Sequence, residues 1–197
     1  MEDEREPDLS EFEYAMRLSQ ASILRSRDRE KLIEHVFISE ILQESWFVRE
    51  QPLEVLKSEV DAYGYDLVLE CNGVTRHIQL KASQEGGSTR RQSVNRLLEQ
   101  KVGGCVVWVL FEHDWGAGRI RLSYLYFGGR RPRDRMPSLG DELARNPRSK
   151  APRPNARILS VSKFERIPTT SALLDRLFGR AKPVTGPYRT GPVLRAP

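Results

Sequence analysis

A chain of 197 residues with 39% hydrophobic and 30% charged residues fits one folded domain with terminal tails, because domains commonly span about 100–200 residues. It contains no run of about 18 apolar residues, and its acidic N-terminus is the opposite of a signal peptide. We therefore expect a cytoplasmic protein with no membrane partner. The net charge of +5 favours a polyanionic partner such as nucleic acid.

Charge and proline content predict the boundaries of the domain. Residues 1–13 carry seven acidic residues and one arginine, whereas residues 130–157 carry nine basic and three acidic residues and five prolines. Because proline is excluded from regular helices and central strands, 130–157 is predicted to be a long basic loop. We expect an acidic tail at 1–9, one domain at 10–180 and a disordered Pro- and Gly-rich tail at 181–197.

The first predicted elements are two helices and three strands. Ser10 and Glu13 form a capping box that predicts a helix to about Leu24. Apolar residues recur at helical spacing through 28–45 and predict a second helix. Alternating apolar residues then predict three short strands, which span residues 53–60, 65–70 and 74–81.

The second half of the chain adds further helices and strands. A short helix is predicted at 92–101, a buried strand at 103–111 because its apolar run is continuous, and another strand at 119–127. Residues 158–178 predict a strand or loop followed by a helix, with Thr170 or Ser171 as its cap. This order predicts a mixed α/β sheet with helices on its faces.

Three side chains are expected in the core. Cys71 and Cys105 are the only cysteines and form no CxxC pair, which indicates reduced, buried residues rather than a metal or disulfide framework. Trp108 lies within the continuous apolar run and is expected to be buried with it.

Asn72-Gly73, between two alternating runs, predicts a tight hairpin, since a type I′ turn needs positive φ at both positions. A two-residue loop also predicts the register of the strands. Leu69 then faces Arg76, Leu67 faces Ile78, Asp66 faces Gln79 and Tyr65 faces Leu80. Facing side chains of such a pair lie about 4.5–5.5 Å apart at Cβ.

Alternation along this hairpin sorts its side chains onto two faces. Tyr65, Leu67, Ile78 and Leu80 are expected on an apolar face, and Asp66, His77, Gln79 and Lys81 on the other. A carboxylate, an amide oxygen and a main-chain carbonyl can hold Mg²⁺ beside a phosphate, and a lysine can orient the attacking water or stabilise the developing charge. A solvated strand face, where such residues are ordinary, is the alternative interpretation.

The residues GYD at 64–66 and QLK at 79–81, with the predicted element order over about 28–112, resemble the PD-(D/E)xK nuclease superfamily. The resemblance implies a restriction-endonuclease-like fold, whose core is helix, three strands, helix, strand. It implies that Asp66, Gln79 and the carbonyl of Leu80 bind Mg²⁺ or Mn²⁺, and that Lys81 is catalytic. Gln79 stands where the family usually has an acid, so one negative charge is missing from the metal shell.

Members of the superfamily often add a glutamate from the preceding helix. We expect Glu34 in this role, because a helical projection places it between Ile38 and Ile41 on the apolar face. Glu40 is the rival candidate, and an exposed structural glutamate is the alternative for both.

Several further residues are candidates for supporting roles. Ser83 resembles a family serine that supports the strand end, Asp61 is a candidate second acid near the metal, and Trp115 is placed to stack on a base. For each, packing within a loop or turn is the alternative. Contacts to nucleic acid are expected from Arg76, His77, Arg90, Arg91, Arg130 and Arg131.

The sequence therefore predicts a metal-dependent nuclease, with DNA as the expected substrate. One alternative is a nucleic-acid-binding module on the same fold that lacks cleavage. Another is a protein–protein adaptor that docks through its acidic and basic segments. The sequence is compatible with a homodimer.

Overall fold

A computed structural model of the protein describes residues 26–58, 63–114 and 116–180. The predicted N-terminal tail and first helix, Asp61, Trp115 and the predicted C-terminal tail lie outside the described residues. Helix α1 spans Ser26–Gln43 and continues into a π-helical turn at Glu44–Val48, which confirms the predicted second helix. Its inner stripe is formed by Ile33, Phe37 and Ile41, all at most 1% exposed, as the spacing of four residues requires.

The main sheet has six strands in the order β1-β2-β3-β5-β6-β9. Strands β3 and β5 are parallel, and every other neighbouring pair is antiparallel. The predicted mixed α/β architecture is therefore confirmed. The six strands are β1 Glu54–Lys57, β2 Leu67–Cys71, β3 Val74–Gln84, β5 Gly104–Asp114, β6 Arg119–Gly128 and β9 Glu165–Ile167.

The predicted helix at 92–101 is wrong. Strand β4, Arg91–Asn95, occupies its first half, and a 3-10 turn at Arg96–Gln100 follows. The backbone of β4 pairs with residues of a later strand, β8 (Pro152–Ser160), instead of forming helical hydrogen bonds. The side chain of Asn95 accepts the Leu97 N–H at 3.0 Å to begin the turn. Tertiary pairing thus overrides the helical spacing of the apolar residues.

The prediction of one long loop at 130–157 is also wrong for its second half. Strand β7, Leu143–Arg145, and strand β8, Pro152–Ser160, form a second sheet with β4 in the order β4-β8-β7. Pro152 and Pro154 lie in β8 before Ala156, where pairing with β4 begins. They therefore avoid the positions at which a missing N–H would break that ladder.

Three layers result from these elements. Helix α1 and helix α2, Thr170–Phe178, cover one face of the main sheet, whereas the second sheet and the 3-10 turn cover the opposite face. Strand β5 is buried on both faces, since Cys105 and Val107 pack towards the helices and Val106 and Trp108 pack away from them. The predicted helices on both faces are thus found on one face only.

Other core predictions hold. Cys71 and Cys105 are buried and form no disulfide, and Trp108 is fully buried. The cap of α2 is Thr169, one residue before the two predicted candidates, and its side chain accepts the Ala172 N–H at 3.2 Å. Within the described ranges, neither helix is long and apolar enough to cross a membrane.

Candidate active site

The predicted hairpin register is confirmed from the turn at Asn72-Gly73 back to Leu67, the first residue of β2. Cys71 pairs with Val74, Leu69 with Arg76, and Leu67 with Ile78, and Asn72 and Gly73 have φ of 51° and 69°. The regular ladder stops at Leu67. Tyr65 then packs against the core on the side of the second sheet, while Leu67 packs towards the helices, so the prediction that these two share a face is wrong.

Asp66 immediately precedes β2, at the point where the chain enters the ladder. Its N–H donates to the Ile78 carbonyl at 2.8 Å, and its Oδ2 accepts the Leu80 N–H at 2.7 Å. A strand residue points its N–H and C=O to the same edge, so the Leu80 carbonyl lies on the edge that the Asp66 carboxylate covers. Beyond Ile78, β3 pairs only with β5 among the described strands.

A cleft of about 650 Å³ opens beside this edge, and we call it the acidic cleft. Helix α1 supplies one wall and strand β3 the other. Three of the predicted site residues, Glu34, Asp66 and Lys81, therefore line this cleft together with Leu80. Its lining residues are Glu30, Lys31, Ile33, Glu34, Asp66, Leu80, Lys81, Ala82 and Gln92.

Glu34 is held in the acidic cleft by two lysines. Its carboxylate lies 2.5 Å from the Lys57 ammonium and 3.3 Å from that of Lys31. Burial alone raises the pKa of Glu34, but hydrogen bonds and attraction from these lysines outweigh burial, so its pKa lies below the ordinary value of 4.5. Glu34 is therefore ionised at neutral pH.

Glu40 has a different environment. Its carboxylate accepts hydrogen bonds from the Tyr124 hydroxyl at 3.0 Å and from the Thr170 hydroxyl at 2.7 Å. These contacts tie α1 to β6 and α2, and Glu40 lines a different depression of the surface. The geometry thus favours Glu34 over Glu40 as the helix acid of the cleft.

Gln79 lies in a second cleft of about 430 Å³, which we call the amide cleft. It is 7% exposed, and its Oε1 accepts the Asn95 N–H at 3.0 Å. Lys81 lines both clefts and thus stands between the two predicted ligands Asp66 and Gln79. The amide cleft is lined by Gln79, Lys81, Ser93, Asn95, Pro152, Arg153, Pro154, Asn155 and Ala156.

Ser83 lies near the end of β3, on the face that also carries Gln79 and Lys81. Its hydroxyl accepts the indole N–H of Trp108 at 2.7 Å, across the parallel ladder in which Lys81 pairs with Trp108. This contact orients a fully buried tryptophan against the end of β3.

The predicted contact of Arg76 with nucleic acid is wrong. Arg76 is 0% exposed, and its guanidinium donates to the Pro132 carbonyl and to the Tyr126 hydroxyl. Its Nε has no hydrogen-bond partner in the described part of the chain. A guanidinium enclosed in this way fastens the 129–135 segment to the sheet and cannot reach a phosphate on the surface.

His77 is half-buried near the hairpin end of β3. Its Nδ1 lies 3.1 Å from the Val102 carbonyl, and its ring packs edge-on against Tyr65 at 5.1 Å between centroids. Burial lowers the pKa of His77 below its ordinary value, and the nearby Lys101 and Arg76 add to this shift. His77 is therefore neutral at neutral pH and does not attract phosphate by charge.

The remaining predicted arginines are exposed and lie in two places. Arg90 donates to the Gly87 and Thr89 carbonyls, and Arg91, at the start of β4, pairs with Glu142. Arg130 and Arg131 belong to the turn that packs against the hairpin end of the sheet, where the neighbouring Arg133 donates to the Gly73 carbonyl at 2.9 Å. At about 3.3 Å per strand residue, this end lies on the order of 20 Å from Lys81.

The acidic cleft suits a hard divalent cation in its donor chemistry. Mg²⁺ takes oxygen ligands and keeps several waters, and the carboxylates of Glu34 and Asp66 with the Leu80 carbonyl are such ligands. No group of three or more His, Cys, Asp or Glu side chains that could hold a metal occurs among the described residues. Glu34 could coordinate such a cation only after release from Lys57 and Lys31.

Some residues of the two clefts were not predicted. Glu30 lies one turn before Glu34, and the spacing of four along α1 is a signal that could have identified it. Gln92, Ser93 and Asn95 were hidden by the incorrect helix at 92–101. Arg153 was counted only as part of the basic segment, since its place beside Lys81 depends on the pairing of β8 with β4.

Comparisons of the chain with protein-family models, with curated proteins and with solved structures found no match.

Proposed function

We propose that this protein is a metal-dependent phosphodiester hydrolase of nucleic acid on a restriction-endonuclease-like fold, with DNA as its substrate. The observation that carries the proposal is the acidic cleft, in which Asp66, Lys81 and Glu34 meet at the open edge of β3. Further support comes from the order of α1, β1, β2 and β3, with the next strand of the sheet parallel to β3. This arrangement is similar to the core that the PD-(D/E)xK resemblance implies, with β4 and a 3-10 turn in place of the second helix.

Each residue of the acidic cleft has a role in this proposal. Asp66, Glu34 and the Leu80 carbonyl would hold Mg²⁺ or Mn²⁺, which when bound acidifies a water and neutralises charge on the phosphate. Lys81 orients the attacking water and stabilises the developing negative charge through its ammonium group. The Leu80 N–H holds the Asp66 carboxylate at the edge of β3.

A nucleic-acid-binding module without cleavage is the second candidate, and one observation favours it. Gln79 uses its Oε1 within the protein and lies in the neighbouring cleft, so it lends no charge to a cation in the acidic cleft. A cation in the acidic cleft would then have two carboxylates and one carbonyl as protein ligands, and a site with fewer charged ligands binds metal more weakly.

The test is a nuclease assay with Mg²⁺ or Mn²⁺ on single-stranded, duplex and branched DNA. We expect cleavage by the wild type, and Lys81→Ala should reduce it at least about 100-fold, the usual effect of removing a group that stabilises the transition state. Lys163→Ala, an exposed lysine outside both clefts, is the matched control and should retain full activity.

Two results would contradict the nuclease proposal. Full activity of Lys81→Ala, or activity in the presence of EDTA, would show that another group or a contaminant cleaves the DNA. DNA binding without cleavage under every metal condition would favour the binding module instead.

A further inference from the structure

We propose that the amide cleft binds one unpaired nucleotide next to the phosphodiester held at Lys81, so that the preferred substrate contains a single-stranded or extruded nucleotide. This inference rests on the proposed function for the position of the phosphate. It adds a substrate class and a specificity site to it. Its starting point is that Lys81 lines both clefts, so that a nucleotide adjoining a phosphate at Lys81 falls beside the amide cleft.

The floor of the amide cleft presents a fixed hydrogen-bond donor. The Asn95 N–H requires an oxygen acceptor, so the side-chain amide of Gln79 is oriented with Oε1 towards Asn95 and Nε2 away from it. The Nε2 group has no acceptor among the described residues. It is not sealed off, because the buried side-chain atoms without partners in the described ranges belong to Glu44, Arg49 and Arg76. A bound group with an acceptor would therefore satisfy it.

The walls of the cleft suit a nucleotide better than a simple anion. The start of β8 contributes the exposed Arg153 and Asn155, which offer a cation for a flanking phosphate and an amide for the edge of a base. Pro152 and Pro154 add apolar rings to the lining of the cleft. Amide side chains hydrogen-bond base edges in recognition of splayed-out bases.

The dimensions of the cleft indicate an unpaired base. A volume of about 430 Å³ lies within the range of about 300–1,000 Å³ for small-ligand sites. A cleft of this size cannot take a base together with the stacked neighbours and the pairing partner that it has inside a duplex. Extruding a base is least costly when it is already unpaired, which predicts a preference for such substrates.

The test measures binding in EDTA, where cleavage is suppressed, by fluorescence anisotropy with labelled DNA. Three probes of matched sequence are compared: a perfect duplex, the same duplex with a single-nucleotide bulge, and a single strand. We expect the bulged duplex and the single strand to bind at least tenfold more tightly than the perfect duplex.

Two cleft variants with matched controls assign this preference to the amide cleft. Asn155→Ala and Arg153→Ala should each reduce the ratio of bulged to perfect duplex affinity at least threefold. Gln100→Ala and Arg148→Ala change exposed residues outside the cleft and should leave the ratio unchanged. Because Asn155 and Arg153 are exposed, their truncation leaves the fold intact.

The outcomes separate this inference from the nuclease proposal. Equal affinity for the three probes, no binding to any of them, or an unchanged ratio in both cleft variants would overturn the inference. Cleavage of perfect and bulged duplexes at equal rates would keep the nuclease proposal and overturn the inference. A preference for unpaired DNA without cleavage in Mg²⁺ would keep the amide cleft as a nucleotide site and overturn the nuclease proposal.

Discussion

Replacing Arg76 decides whether this arginine serves the fold or a nucleic-acid surface. Arg76→Met keeps the length and apolar character of the side chain and removes its charge and its donors. In the native protein the guanidinium donates to the Pro132 carbonyl and the Tyr126 hydroxyl. Both acceptors lose a charged partner in the variant, and we therefore expect a large loss of stability.

The magnitude follows from these contacts. Two hydrogen bonds from a charged donor contribute about 1.5–3 kcal/mol each, and the partnerless Nε costs about 1–3 kcal/mol, which the variant recovers. The net loss in the free energy of unfolding is about 2–3 kcal/mol. With a denaturant slope of about 2 kcal/mol per molar urea, the midpoint of unfolding falls by about 1–1.5 M.

Urea denaturation followed by tryptophan fluorescence measures this change, and Arg90→Met is the matched control. Arg90 is exposed and donates only to nearby loop carbonyls, so its replacement should change stability by less than about 0.5 kcal/mol. A loss below about 0.5 kcal/mol for Arg76→Met, together with weaker DNA binding and a shallower salt dependence, would refute the burial argument and restore the phosphate contact.

The remaining predictions concern the Gln79 amide, the half-buried His77 imidazole and the arginines of the turn at 130–135. Gln79→Glu buries a charge where Asn95 supplies a single N–H, so it should lower the free energy of unfolding by about 1–3 kcal/mol. We expect no tighter binding of Mg²⁺ by calorimetry, and tighter binding would return this position to the metal shell. Burial lowers the pKa of His77 in the folded protein, so the unfolded chain binds more protons at pH values between the folded and the unfolded pKa. The free energy of unfolding should therefore fall as pH drops through about 6.5. His77→Gln should flatten this fall, and an equal slope in both proteins would contradict the prediction. The last variant replaces the four arginines of the turn by alanine, namely Arg130, Arg131, Arg133 and Arg135. The salt slope of DNA binding should fall by at most about 0.9 per lost phosphate contact. Cleavage of bound DNA should stay unchanged, because this turn packs at the hairpin end of the sheet, and slower cleavage at saturating protein would show that the turn reaches the site.

The elements that sequence reasoning predicted well are those in which local preference and tertiary burial agree. The continuous apolar run of β5 is buried on both faces, and the stripe of α1 repeats every four residues and packs on one face. Asn72-Gly73 adopts the positive φ values that its turn requires. In each case one short-range signal specifies both the element and its burial.

The elements that it missed depend on partners far away in the chain. The segment of β4 has helical spacing, and only the distant strand β8 makes it a strand. The same pairing turns the end of a proline-rich segment into β8 and brings Arg153 beside Lys81. No local pattern records a pairing across about sixty residues, so the amide cleft could not be predicted from spacing.

Asp66 lies where the structure specified by the local turn ends and contacts between distant residues take over. Turn chemistry specifies the hairpin ladder from Cys71 back to Leu67, but it does not specify the path of the chain before β2 begins. The chain bends there, the carboxylate of Asp66 takes the Leu80 N–H that a longer ladder would have paired, and Tyr65 packs on the opposite face from Leu67. The start of β2 therefore both limits the prediction and creates the open edge of β3 beside which Asp66, Glu34 and Lys81 line one cleft.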